Sequence, residues 1–177
     1  MTRTSIIVAD AAHARFFAVQ IPEEPRADGG ARLFETRDLI NADADIPERL
    51  QFSDRAGRAH ASPEGAAHAL DDGRGRHRQE LARRWARRLL DEMEQFVRQE
   101  KSARLLLVAE LRVLGTLREQ MVHERLRGIE IVELGENLTQ HPVAEIQSTL
   151  ASRGLVPAAA APDVGVFRPR GQPPVER

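Results

Sequence analysis

The chain lacks or nearly lacks several residue types, and each absence excludes a class of chemistry. It contains no cysteine, which rules out disulfides, thiolate metal sites and cysteine nucleophiles. Lys101 is the only lysine, so nearly all of the positive charge is carried by arginine. An arginine bias is typical of a GC-rich coding sequence, but it also supplies planar forks suited to phosphate or carboxylate.

Long hydrophobic runs are missing as well. No apolar stretch of the sequence approaches the roughly 20 residues that span a bilayer. The N-terminal run Ile6–Ala9 is too short for the core of a signal peptide. The formal net charge of −1 gives no overall attraction to nucleic acid or anionic lipid. We therefore expect a cytoplasmic protein that does not associate with membranes.

The length and composition predict one soluble domain. With 177 residues, 41% of them hydrophobic and 30% charged, the chain can form one domain with a substantial core but is too short for two. We expect this domain to cover residues 1–154. The segment 155–177 is rich in proline and alanine, and it is predicted to be a disordered tail.

The clearest architectural signal lies between Leu105 and Leu134. The run Leu105–Val108 is apolar without alternation, which predicts a strand buried on both faces. Apolar residues spaced three to four apart then continue to Leu126 and predict a helix. The run Ile129–Leu134 predicts another strand. A strand, a helix and a strand within about thirty residues indicate a βαβ unit with two parallel strands.

Three further strands are predicted before this unit. The apolar runs Ile6–Ala9 and Arg15–Ile21 are separated by a segment short enough for an antiparallel hairpin. The third strand, Arg32–Ile40, has a more polar pattern and is predicted to lie at an edge of the sheet.

A long amphipathic helix is predicted from about His77 to Gln99. Its apolar stripe recurs every four residues and consists of Leu81, Trp85, Leu89, Met93 and Val97. Before it, residues 41–76 lack periodicity and are predicted to form a loop, of a length typical of functional or disordered segments. A final helix is predicted to begin at Pro142 and to end near Gly154.

The resulting element order, β-β-β-α-β-α-β-α, matches the ribonuclease-H-like fold. In this α/β fold a mixed five-stranded sheet has the spatial order 3-2-1-4-5, and helices on its faces make three layers. Short connections and right-handed crossovers favour this arrangement. We therefore predict a ribonuclease-H-like three-layer fold.

Several motifs, taken in order, resemble those of the bacterial host attachment proteins, named for a requirement in attachment to host cells. The matching segments are Val8-Ala9-Asp10, Ala14-Arg15-Phe16, Asp54-Arg55-x-Gly57-Arg58, Leu107-Val108-Ala109, Leu114-Gly115-x-Leu117-Arg118 and Asn137-Leu138-Thr139-x-His141-Pro142. The resemblance covers roughly residues 4 to 150. It implies a fold similar to the middle domain of archaeal and eukaryotic release factors and of Pelota, and hence a link to the ribosome.

The chain departs from that family in two places. The family usually has prolines after the Leu-Val-Ala strand, where this chain has Glu110 and Leu111, and it usually has Asp where this chain has Asn137. The Gly-Gly-Gln tripeptide of release factors is also absent, because Gly29-Gly30 is followed by Ala31. Hydrolysis of peptidyl-tRNA by that route is therefore not predicted.

Three carboxylates are candidates for a divalent-metal site. Asp10 ends the first strand, Glu80 lies early in the long helix and Glu110 ends the fourth strand. If they converge, they could hold Mg2+ for a metal-dependent nuclease. Otherwise Glu80 is a charge near a helix N-terminus and the other two are surface carboxylates. No histidine has the spacing of a metal-binding pair on one helix face, so apart from this alternative we predict no metal and no cofactor.

The second candidate site is the basic segment that precedes the long helix. Its candidate binding residues are Asp54, Arg55, Gly57, Arg58, Arg74, Arg76 and His77. Arginine forks and a helix N-terminus both favour phosphate, so the segment is either a solvated loop or a contact for the RNA backbone. We interpret the chain as a non-enzymatic binding protein for RNA or the ribosome, with the metal-dependent nuclease as the alternative.

Overall fold

The computed structural model describes residues 3–20, 30–44, 66–121 and 125–159. Within these ranges the strands are β1 (Thr4–Ala9), β2 (His13–Gln20), β3 (Arg32–Ile40), β4 (Arg104–Ala109) and β5 (Glu130–Leu134). The helices are α1 (Ala66–Glu100), α2 (Leu111–Gln120) and α3 (Val143–Ser152). No helix in the described ranges combines the length and apolarity needed to cross a membrane.

The five strands form one mixed sheet in the order β3-β2-β1-β4-β5. Strands β1 and β2, and β2 and β3, pair antiparallel, whereas β1 and β4, and β4 and β5, pair parallel. This arrangement confirms the predicted ribonuclease-H-like order. Strands β1 and β4 are the central pair, and both are apolar on their two faces because helices cover both sides.

The alternation of side chains along the central strands produces two cores. Ile7 and Leu107 point to one face, where they pack with the apolar stripes of α1 and α2. Ile6 and Leu106 point to the opposite face, where they pack with α3. The molecule therefore has three layers, with two helices, the sheet and one helix, as predicted.

The long helix is the main correction to the sequence prediction. Helix α1 begins at Ala66 rather than near His77, so residues 66–76 are helical and not part of a loop. Gly73 and Gly75 suggested a loop, but a glycine inside a helix costs only about 1 kcal/mol relative to alanine, and the alanine-rich run from Ala66 favours the helix. Residues 45–65, which belong to the predicted loop, lie outside the described residues.

The packed domain also extends past its predicted end at residue 154. Gly154 adopts a left-handed backbone conformation with φ of 67°, which reverses the chain after α3. The amide of Leu155 then donates to the Leu150 carbonyl at 2.9 Å, and Val156 packs in the core beneath α3 with 7% of its surface exposed. An apolar pair directly after the turn is drawn onto the domain, while residues 160–177 lie outside the described part of the chain.

We expect the buried stripe of α1 to make a large contribution to stability. Leu89 is fully buried between α1 and the sheet, so Leu89→Ala should lower the free energy of unfolding by roughly 2–5 kcal/mol. Leu81, which was predicted to be buried, is only partly so, and Leu81→Ala is the matched control with a smaller expected loss. Urea titration of both variants measures the difference, and equal losses would contradict the observed packing of α1.

Candidate functional site

The two central parallel strands deliver a pair of carboxylates to one edge of the sheet. Ala9 of β1 is paired with Ala109 of β4, and each is the last residue of its strand. Asp10 and Glu110 therefore leave the sheet side by side, at the ends of adjacent parallel strands. This sheet edge, at the C-terminal ends of β1 and β4, is the candidate functional site of the domain.

Asp10 uses all of its polar groups in hydrogen bonds within the molecule. Its amide donates to the His13 carbonyl at 2.8 Å, and its own carbonyl accepts the indole N–H of Trp85 at 2.9 Å. Its Oδ1 accepts the amides of Ala12 and His13, both at 2.7 Å, and its Oδ2 accepts the hydroxyl of Thr139. Asp10 thus shapes the turn between β1 and β2 and ties it to α1 and to the loop after β5.

These hydrogen bonds decide the charge of Asp10. Only 8% of the residue is exposed, and burial alone raises the pKa of a carboxyl. The hydrogen bonds from Thr139 and from the amides of Ala12 and His13, together with the charge of His13, outweigh burial and lower the pKa below 3.8. Asp10 is therefore held as a carboxylate near neutral pH.

A chain of polar side chains connects Asp10 to Glu110. The Thr139 hydroxyl lies within hydrogen-bonding reach of Asp10 Oδ2 and, at 2.7 Å, of Asn137 Oδ1, and its single proton serves one of them at a time. The Asn137 side-chain amide donates to Glu110 Oε1 at 2.8 Å. The loop between β5 and α3 thereby bridges the ends of β1 and β4.

Arg15 holds this bridging loop in place from β2. Its Nη1 donates to the carbonyls of Thr139 at 2.9 Å and His141 at 2.7 Å. Its Nε and Nη2 form a two-point pair with Glu35 on β3, and the hydrogen bond to Glu35 is the main cause of the raised pKa of Arg15. The guanidinium thus connects three segments, namely β2, β3 and the loop between β5 and α3.

The two departures from the resembled family contact each other. The φ of −54° at Glu110 is one that proline also adopts, and Leu111 is the first residue of α2, a position that favours proline. A proline at 110 has no carboxylate and can coexist with the family's usual Asp at 137. In this chain Glu110 brings a negative charge, and Asn137 supplies an N–H donor to it instead of a second charge.

The structure does not assemble the predicted metal trio. Glu80 lies on the exposed side of α1, where its Oε1 is 3.0 Å from Nη2 of Arg87. Both oxygens of Asp10 already accept hydrogen bonds, and Glu110 is bonded to Asn137. In the described part of the chain, no group of three or more His, Asp or Glu side chains is arranged to hold a metal ion. The donors present therefore do not fit a two-metal carboxylate site.

The predicted basic segment is partly described. Asp54, Arg55, Gly57 and Arg58 lie outside the described residues. Arg74, Arg76 and His77 are in the interior of α1 rather than in a loop, because the helix begins at Ala66. They open a stretch of α1 that runs to Arg88 and contains seven arginines against one acid, Glu80.

The structure adds residues that had no role in the sequence-based sites. Arg15, Asn137 and Thr139 were noted only within family-like motifs, and Trp85 only as an apolar core residue. Trp85 carries an indole N–H that must find an acceptor when buried, and this is the one signal that could have linked it to a polar site. Arg15 and Thr139 are 124 positions apart in sequence, so only the folded chain brings them together.

One protein family and several solved structures are similar to this chain. A family model described as "Protein required for attachment to host cells" matches residues 5–150. No curated protein matches the sequence. Among solved structures, Thermus thermophilus RuvC is 10% identical with a TM-score of 0.39, covering 90% of this chain and 84% of that one. The Aquifex aeolicus Ppx/GppA phosphatase is 13% identical with a TM-score of 0.37, and the match covers 75% of this chain but only 36% of that one.

The lowered pKa of Asp10 predicts a specific loss of stability in acid. Below about pH 3.8 the unfolded chain binds a proton at Asp10 before the folded chain does, so the free energy of unfolding falls as the pH falls through the folded pKa. Asp10→Asn should remove this component and flatten the acid dependence. Urea unfolding between about pH 7 and about pH 3 measures it. Glu119→Gln, at an exposed carboxylate on α2, is the control that should keep the wild-type dependence.

The contact between Glu110 and Asn137 predicts coupled substitutions. Asn137→Asp replaces the N–H donor with a second carboxylate, and we expect a loss of about 1 kcal/mol in the free energy of unfolding. In a Glu110→Gln background the same change should cost much less, because a glutamine amide can donate to the new carboxylate. A double-mutant cycle by urea denaturation measures the coupling. Equal costs in both backgrounds would show that the two positions are independent.

Proposed function

This chain belongs to the host attachment family, the proteins described as required for attachment to host cells, and we propose that it is a non-enzymatic protein that binds RNA, free or in the ribosome. In this proposal the protein acts in the cytoplasm and affects attachment indirectly. The observation that carries the proposal is the basic stretch of α1 from Arg74 to Arg88.

Two arginines of this part of α1, Arg84 and Arg87, are exposed and only weakly engaged. The side chains of Arg84 and Arg87 are 62% and 57% exposed. Arg84 lies 3.7 Å from Asp43 and Arg87 lies 3.0 Å from Glu80, and exposed pairs of this kind contribute only about 0–1 kcal/mol. A phosphate group can therefore replace these partners at little cost. Beyond Arg88 the helix becomes acidic, with Asp91, Glu92 and Glu94, so the basic surface has a defined limit.

The proposal also includes the residues expected from the sequence to bind RNA. Asp54, Arg55, Gly57 and Arg58 precede α1 in the chain, and Arg74, Arg76 and His77 lie within it. In the proposal the arginines of this set contact the sugar-phosphate backbone, because guanidinium forks bind phosphate at two points, and Asp54 pairs with a nearby arginine instead of contacting phosphate. A ribosomal partner is proposed from the sequence-based expectation of a fold similar to the middle domain of release factors and of Pelota.

The non-enzymatic part of the proposal is supported by the arrangement at the sheet edge. Asp10 is committed on both oxygens to Thr139 and to backbone amides, so it is placed to hold the fold together rather than to bind a metal ion. The alternative, a metal-dependent nuclease, is favoured only by the position of Asp10 beside Glu110 at the ends of β1 and β4. The described carboxylates do not fit two metal ions.

The RNA proposal predicts a salt-dependent loss of binding. Arg84→Ala combined with Arg87→Ala should weaken binding of a single-stranded RNA oligomer because two phosphate contacts are lost. The slope of log K against log salt should become shallower by roughly 0.7 for each lost contact. Fluorescence anisotropy of labelled RNA at several salt concentrations measures both effects, and co-sedimentation of the wild-type protein with ribosomes tests the ribosomal form.

The matched control is a second pair of exposed arginines on one helix. Arg112→Ala combined with Arg118→Ala removes the same charge from α2 and should leave RNA binding near the wild-type value. If both double variants weakened RNA binding equally, the loss would be explained by net charge alone. That outcome would contradict a binding surface confined to α1. The nuclease alternative is tested in the same samples with magnesium, where reproducible RNA cleavage that is lost in Asp10→Asn would overturn the non-enzymatic proposal.

A further inference from the structure

The end of α1 opposite to its arginine-rich part borders a cavity that the proposed function does not use. The cavity has a volume of about 250 Å³ and lies between the last two turns of α1 and residues 125–129, which lead into β5. Its lining begins at Glu94, about 15 Å along the helix axis from Arg84, and Lys101 lies about 25 Å from Arg84, since an α-helix rises 1.5 Å per residue. The cavity is therefore distinct from the proposed RNA surface.

The charges around the cavity are strongly unbalanced. Four cations line it, Arg98, Lys101, Arg125 and Arg127, against the single carboxylate of Glu94. Glu94 pairs with Arg98 at 2.6 Å and lies 4.0 Å from Arg125, which also pairs with Asp91 at the rim. Among the described residues, Lys101 and Arg127 form no ion pair. Two guanidiniums are thus held in position, and two further cations have no partner of opposite charge.

Lys101 also has an unusual backbone conformation. Its φ of 51° makes it the only non-glycine residue with a positive φ in the described part of the chain. This left-handed position after a helix is normally taken by glycine, because a Cβ there is disfavoured. The only lysine of the protein thus occupies a position for which glycine is the better residue, which indicates that its side chain matters.

The cavity has an apolar floor and one buried polar group. Val97, Leu126 and Ile129 supply the floor, and Val97 and Leu126 are themselves buried in the core between α1 and the sheet. Ser102, only 5% exposed, lines the wall, and its hydroxyl is 2.7 Å from that of Ser5 on β1. A ligand would therefore meet cations at the rim and aliphatic carbon beneath.

We propose that this cavity binds a small phosphate monoester with a compact apolar body. Guanidinium forks and an ammonium group recognise the phosphate, and the aliphatic floor receives the organic part. The volume lies below the roughly 300–1,000 Å³ of sites for drug-sized ligands, so the body is no larger than one ring. The negative end of the α1 dipole opposes an anion here, but amides of Lys101 and Ser102 already satisfy the carbonyls of Arg98 and Val97.

Phenyl phosphate is a suitable probe because it combines the two features. Calorimetric titration of the full chain at fixed ionic strength should show saturable binding, tighter than that of inorganic phosphate, which lacks the ring. Lys101→Gly should weaken binding by about tenfold or more, the effect of losing one charge-assisted hydrogen bond. Because glycine adopts the left-handed conformation freely, this variant should keep the melting temperature or raise it, so weaker binding cannot be ascribed to unfolding.

Two further variants make the test decisive. Arg127→Gln keeps a side chain of similar length without the charge and should also weaken binding, whereas Arg112→Ala, on the surface of α2 and away from the cavity, should not. Absence of saturable binding of phenyl phosphate, or wild-type affinity in Lys101→Gly, would overturn the proposal. The proposal would also be overturned if Lys101→Gly weakened the binding of RNA but not of phenyl phosphate. That outcome would assign the cations to the nucleic-acid surface. The RNA proposal is tested through Arg84 and Arg87, which are unchanged in these variants. The two proposals can therefore fail independently of each other.

Discussion

The hydrogen bond from the Thr139 hydroxyl to the Asp10 carboxylate is the contact on which the sheet edge depends. It joins the end of the first strand to a loop 129 positions later in the chain, between β5 and α3. The same Asp10 orders the β1–β2 turn through its other oxygen and anchors α1 through Trp85. Arg15 then holds the backbone of that loop so that Thr139 faces the carboxylate. A buried charge is tolerated here because each of its oxygens has a donor, and the loss of the Thr139 hydroxyl would leave Oδ2 as a costly unsatisfied acceptor.

Asp10 stands at the end of a central strand, but its carboxylate makes structural hydrogen bonds within the molecule. In a ribonuclease-H-like sheet that position suggests metal chemistry, but here the side chain stabilises the edge and Glu110 is engaged by Asn137. The two proposed binding surfaces both lie along α1, which has 35 residues and is about 50 Å long. The arginine-rich part is proposed for an extended phosphate backbone, and the cavity near the other end is proposed for a single small anion. Asp91 and Glu92 lie between the two surfaces along α1.

Much of the fold could be predicted because the relevant signals are local. The unbroken apolar runs of β1 and β4 and the four-residue repeat from Trp85 to Val97 follow from solvation and helix geometry alone. The start of α1 was misplaced because Gly73 and Gly75 are local helix breakers, whereas the stability of a long helix is set by its whole length and by packing further along. The burial of Val156 was missed for a related reason, since two apolar residues in a proline-rich context dock only when a surface is present. The contacts of Arg15 with Thr139 and of Asn137 with Glu110 had no signal in residue spacing, because their partners come from distant segments.

The sequence by itself determined the element order, the mixed sheet with β1 and β4 at its centre, and the placement of Asp10 and Glu110 at a common edge. It could do so because side-chain period and chain connectivity leave few arrangements for a domain of this length. Only the tertiary structure decided what those carboxylates do, since the number of donors that reach an oxygen depends on which distant loop covers it. It also decided that Lys101, one cation among many in the sequence, stands at the mouth of a cavity with its backbone in a conformation that glycine prefers. Charge and composition are properties of the chain, but burial and the pairing of charges arise only when separate segments meet.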